Sequence, residues 1–195
     1  MADMKVEILE GLLGDLYSIF PIQVGLSDVG HSGTRNRLYI ILACKEKLLM
    51  LHNPTDLYSH VSSELKQLGS TQPGDYLTAG NLEIQLDAME VATSGKIFRS
   101  NMQDLSYLLS ERERLVVTQL SDEYRRRFNA DPADNRNLVY FTGDNPTFAM
   151  TWSGASNRLP TFRRNAATGK FWFPAAQRWL TNCEKLLGPQ MLFVT

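Results

Sequence analysis

Cysteine is scarce in this sequence. Only Cys44 and Cys183 occur among 195 residues, too few for a disulfide framework and not at the spacing of a thiolate metal site. A reduced setting inside the cell, nuclear or cytoplasmic, is the natural expectation. Histidine is nearly as sparse. His31, His52 and His60 lack partners at ligand spacing and read as surface or loop residues, so no metal is expected. No apolar run approaches the roughly 18 residues of a membrane span, so no membrane association is expected. The first ten residues carry three acids and no basic segment leading into an apolar one, which argues against a secretory signal. A Gly-rich phosphate loop ending in Lys-Ser or Lys-Thr is missing, which sets aside a nucleoside triphosphatase. The stretch Gly30-His31-Ser32-Gly33 lacks the Gly-x-Ser-x-Gly spacing of a nucleophile elbow. Its turn also leads into a strand rather than a helix, so a serine hydrolase is set aside as well.

What remains is an ordinary globular balance, 43% hydrophobic and 21% charged, on a chain long enough for one large domain or two small ones. The net charge of −1 hides an asymmetry. Residues 1–123 hold 10 basic and 17 acidic side chains, whereas residues 124–195 hold 10 basic and 4 acidic. The later part also interleaves cations with aromatics, in "YRRRF", "TFRRN", "GKFWF" and "QRW". That pattern suits a polyanion with stackable bases. A solvated basic face with a few core aromatics is the plainer alternative.

Hydrophobic periodicity predicts a helix over 4–20, with Leu9, Leu12, Leu13, Leu16, Tyr17 and Phe20 on one stripe and Pro21 as its stop. A short strand at Ile22–Val24 and a glycine-containing loop follow. Leu38–Ala43 is a continuous apolar run, the pattern of a strand covered on both faces. Further on, helices are predicted near 80–93 and about 102–128. Asn129–Asn137 reads as a polar linker, and "LVYF" (138–141) as a short strand. Thr181 and Glu184 form a capping box for a last helix, with Gly188–Pro189 as its stop.

Arg35 and Arg37 stand where the loop becomes the apolar strand. Residues two apart on a strand project to one face, so both guanidiniums are predicted to share a crevice. Ligands of open α/β sheets gather at the carboxyl ends of strands, and the starting mouth of an antiparallel neighbour opens at the same edge. Pairing with a nearby acid such as Asp28 is the structural alternative.

At these residues the chain resembles a family. "GHSGTRNR" (30–37) is similar to the cytosine-5 DNA methyltransferase motif Gly-Val-Pro-Gln-x-Arg-x-Arg, with Gly30, Arg35 and Arg37 matching and Ser32-Gly33 in place of Pro-Gln. About 120 residues later, Leu159, Pro160, Thr161, Arg164 and Asn165 resemble the Leu-Pro-Thr-Leu-Thr-Arg-Asn segment that closes the target-recognition region. Arg178, Leu180, Thr181 and Glu184 then match the following Arg-x-Leu-Thr-x-x-Glu helix. The resemblance implies an α/β fold: a partial methyltransferase (Rossmann-like) sheet edge at 1–44, a mixed α+β target-recognition region at 45–157, and a closing motif and helix at 158–195 that return to the methyltransferase domain. It implies DNA as partner, with Thr161, Arg163, Arg164, Asn165 and Arg178 as DNA-binding residues. It also implies supporting catalytic roles for Arg35 and Arg37, with Arg37 nearer a flipped base and Arg35 bracing the site or a phosphate.

The family's Gly-rich cofactor loop, Pro-Cys nucleophile and Glu-Asn-Val segment have no counterpart in these residues. Covalent attack on cytosine needs a thiolate and a nearby acid. The expectation is therefore a DNA-binding portion inactive alone: a split subunit, a fragment or a degenerate homologue. S-adenosylmethionine would be its cofactor only after completion by an N-terminal half. The alternative is a structural or protein-interaction module that kept the fold without binding DNA.

Overall fold

The structure is a computed structural model and describes residues 2–33, 36–93, 95–143, 145, 158–160 and 169–187. It is a mixed α/β chain with two small antiparallel sheets. The chain divides into two compact units, Met1–Ser70 and Thr71–Thr195.

The first unit is a hairpin flanked by helices. Helix α1 (Ala2–Leu13) ends where the Gly14 amide closes on Glu10 O at 2.9 Å. Strands β1 (Tyr17–Gly25) and β2 (Asn36–Cys44) then pair antiparallel without a register break, from Tyr17 opposite Cys44 to Gly25 opposite Asn36. The helix predicted over 4–20 is thus too long. Tyr17, Ile19 and Phe20 favour an extended backbone, and Pro21 lies inside β1 rather than ending a helix. Lys45 N donates to Leu16 O just past the register. Counting alternate pairs from there, Pro21 falls opposite Ile40 at a position without ladder bonds, where its missing N–H costs nothing.

A one-turn 3-10 helix (Leu26–Val29) leaves β1 and closes on Gly30 in the left-handed region, φ 84°. Helix α2 (Pro54–Leu68) lies against β1 and this turn. α2 is not among the elements predicted from the sequence. Its start is well made: Asn53 Oδ1 accepts from Thr55 N at 2.9 Å and Pro54 occupies the first turn.

The expected double coverage of Leu38–Ala43 is not found. Ala43 is buried, but Leu38, Tyr39, Ile41 and Leu42 each remain about 40% exposed. These positions alternate between the two faces. A two-stranded ribbon has too little of its own to cover both.

The second unit is built on a three-stranded antiparallel sheet, ordered β3 (Tyr140–Phe141), β4 (Phe171–Phe173), β5 (Arg178–Trp179). Alternation along these short strands makes two cores. Tyr140, Trp172 and Trp179 pack with Ala88 and Ala92 of α3 (Asn81–Ala92) and with Val116 and Leu120 of α4 (Glu111–Phe128). Phe141, Phe171 and Phe173 face the other way, with Tyr76, Leu159 and Leu180. Gly143 and Gly169 flank β3 and β4 at close quarters; a Cβ on Gly169 would collide with Gly143 N. Helix α5 (Asn182–Leu187) carries the expected capping box, with Thr181 N on Glu184 Oε2 at 2.9 Å and Glu184 N on Thr181 Oγ1 at 3.2 Å. Its predicted Gly188–Pro189 stop lies outside the described residues.

The helix predicted from 102 starts later, at Glu111. Ser110 caps it, trading hydrogen bonds with Glu113 at 2.8 and 3.2 Å. Leu105, Leu108 and Leu109 lie within the predicted helix but are buried from a loop and a 3-10 turn. The polar stretch 129–137 folds onto its unit: Pro132 is buried and Asn137 Oδ1 accepts from Gly74 N at 3.1 Å. The units meet at Ser70–Thr71; α2 docks on β1 within the first, and β3 is laddered to β4 within the second.

Candidate nucleic-acid interface

The turn between β1 and β2 is organised by Asp28. Its Oδ2 accepts from Gly25 N at 2.7 Å and from Tyr58 OH of α2 at 2.9 Å. Burial, reinforced by Asp28, pushes the Tyr58 phenol above its ordinary value. Gly30 is required here twice over. Its φ is positive, and a Cβ would collide with Gly69 O. The turn delivers the chain to the mouth of β2, where Arg37 is exposed opposite Val24. Arg35 lies outside the described residues, as do Thr161, Arg163, Arg164 and Asn165.

Arg178 is placed differently from its expected DNA-binding role. It is 7% exposed, and its Nη1 and Nη2 donate to the two oxygens of Glu184 at 2.8 and 2.7 Å. Ala79 N adds a bond to Glu184 Oε1 at 2.8 Å. A guanidinium so engaged is an internal tie between β5 and α5. Burial opposes ionisation of Glu184, but the bonds from Arg178, Ala79 and Thr181 outweigh it and hold the carboxyl below its ordinary value.

The interleaved cations and aromatics separate in the same way. Phe171, Trp172, Phe173 and Trp179 are at most 3% exposed, so they are core rather than stacking platforms for bases. Arg125 is paired with Asp122 and Asp131, and Arg126 and Arg127 with Glu123. The bonds from Arg126 and Arg127 draw the Glu123 carboxyl down to about 2. The basic end of α4 is thus largely self-neutralised.

The start of α4 is different, and none of its residues is among the predicted site residues. Lys170 Nζ reaches Glu113 Oε1 at 2.6 Å and lies 5.4 Å from the Trp179 ring centre. Lys96 Nζ donates to Leu108 O at 2.5 Å. Arg112 and Arg114 are exposed on the first turns, with Arg112 Nη2 on Gly143 O at 3.1 Å. An open hollow of about 370 Å³ beside them is lined by Glu111, Arg112, Leu115, Val116 and Gln119. It holds no nucleophile paired with a base. Among the described residues no group of His, Cys, Asp and Glu side chains is placed to hold a metal, and no helix is long and apolar enough to cross a membrane.

Comparison of the chain with protein-family models, with curated proteins and with solved structures finds no match.

Proposed function

We propose that this chain is the DNA-binding, target-recognition portion of a protein resembling cytosine-5 DNA methyltransferases, inactive in methyl transfer by itself. The observation that carries the reading is the β1–β2 hairpin with Arg37 exposed at the mouth of β2. β2 is nine residues long, apolar from Leu38 onward, paired along one edge among the described residues and about 40% exposed at Leu38, Tyr39, Ile41 and Leu42 on its two faces. A strand of this kind suits the interior of a larger, Rossmann-like sheet. The missing strands would come with a catalytic half, as a separate subunit or as another part of one product. That half would also bring S-adenosylmethionine and the attacking thiolate. The ordered motifs at 30–37 and 159–184 support the same reading. The setting it implies is the nucleus or cytoplasm, where DNA is met.

Methyl transfer tests this. The purified chain alone should move no label from S-adenosylmethionine to duplex DNA. Addition of a catalytic half carrying the Gly-rich loop, Pro-Cys and Glu-Asn-Val should restore transfer. Arg37→Lys should then impair it more than Arg35→Lys, because a planar fork holds two acceptors at once. Transfer by the chain alone would contradict the reading.

A second reading is favoured by α2. Leu57, Val61, Leu65 and Leu68 are 44–85% exposed at helical spacing. A stripe of this kind suits a protein-interaction module that does not bind DNA. Failure to shift duplex DNA at low salt, even at high protein concentration, would select it.

A further inference from the structure

Four cations from three separate stretches of sequence meet around the start of α4. Arg112 and Arg114 stand on the helix, Lys96 arrives from the segment after α3, and Lys170 comes from the residue before β4. Lys96 is fixed to Leu108 O, two residues before the Ser110 cap, and Lys170 to Glu113 within the first turn.

The crowding is felt electrostatically. Burial lowers the Lys96 pKa, and Lys170 and Arg114 lower it further, with Glu113 acting against them. Glu113 is already bonded to Lys170, Ser110 and Thr142. Glu111 is the other acid on that turn, and it is exposed. Like charges gathered and partly desolvated raise the free energy of the isolated protein, and a bound anion offsets that.

We propose that Lys96, Arg112 and Arg114 form a phosphate-contacting face by which the second unit grips the backbone of duplex DNA, with Lys170 occupied in neutralising Glu113. The proposal rests on the DNA-binding reading above and adds the residues that deliver it. Arginine forks suit phosphate oxygens. Among the described residues the aromatics nearest in sequence to Lys170, Phe171 to Phe173, are buried and offer no stacking platform of the kind single strands use. The face therefore contacts backbone without reading sequence.

The test is fluorescence anisotropy of the full chain with labelled duplex DNA across a salt series. Lys96→Gln with Arg114→Gln should weaken binding about tenfold or more at low salt and reduce the log–log salt slope by about 2, near 0.9 for each phosphate no longer neutralised. Arg125→Gln with Arg126→Gln removes the same charge from the far end of α4, where both arginines are already paired, and should leave the slope as in wild type. Arg114→Gln alone, on an exposed side chain, should lower the slope by about 1 without perturbing the fold. Equal losses from both double variants would reduce the effect to net charge and overturn the proposal. Wild-type affinity and slope in Lys96→Gln/Arg114→Gln and in Arg114→Gln would overturn it too, while leaving DNA binding itself standing. A wild-type chain that binds no duplex would remove the DNA reading and this face together.

Discussion

Two oxygens of Glu184 receive four donors, from Arg178, Ala79 and Thr181. The carboxylate stays ionised at 1% exposure because of them. Arg178→Ala would leave it buried and unpaired, at a cost of about 3–5 kcal/mol, read as a lower denaturant midpoint. The pH dependence follows from the direction of the shift. The folded pKa lies below the unfolded one, so the contribution is complete above the ordinary carboxylate range and is lost as pH falls through the folded value. Wild type should therefore lose stability as pH falls below the ordinary carboxylate range, and Glu184→Gln should flatten part of that loss. Glu113 contributes with the same sign: burial raises its pKa, but Lys170 and the Ser110 cap outweigh that and lower it. Gly30→Ala should cost about 1–3 kcal/mol, since both its φ and the approach of Gly69 O exclude a Cβ. Thr181 and Glu184 were legible as a capping box from spacing alone. Arg178 was not legible as their partner, because an arginine in a basic stretch reads the same whether it faces a phosphate or an internal carboxylate.

Among elements, α5 was readable by its cap and β2 by its apolar run, whereas α3 is predicted from Leu82, Leu86 and Met89, which are 45–72% exposed, its core face being Ala88 and Ala92. The misread ones carried signals with two meanings. Asn53-Pro54 marks a turn as well as a helix start, and it concealed α2. Leu16, Tyr17 and Phe20 continue a helical stripe, yet the chain turns at Gly14 and they serve the hairpin. The apolar run of β2 was readable as a strand, but its coverage was not, because sequence shows what a strand offers and not whether a neighbour is present. Exposure of β2 has a measurable consequence. Ile41→Thr with Leu42→Thr places β-branched strand formers on surfaces already 40–41% open. Stability should change by less than about 1 kcal/mol, while concentration-dependent light scattering falls. A loss of several kcal/mol would mean that these side chains are covered after all.

At the scale of the whole chain, the contrast between an acidic front and a basic back dissolves once the units are known. Residues 1–70 carry 6 basic and 8 acidic side chains, and residues 71–195 carry 14 and 13. Neither unit is strongly charged, and several arginines of the back third are spent on carboxylates of their own unit. DNA binding, on this reading, depends on local cations rather than on a field set by net charge. The motifs that carry the resemblance divide similarly. Those around 178–184 hold a unit together, and the one ending at Arg37 reaches a surface. The most direct measurement is the affinity of the purified wild-type chain for duplex DNA between about 50 and about 200 mM salt. The expected result is saturable binding whose logarithm falls linearly and steeply with log salt, alike for unrelated sequences in its phosphate component. Binding indifferent to salt, or none at the lowest salt and highest protein concentration, would contradict it.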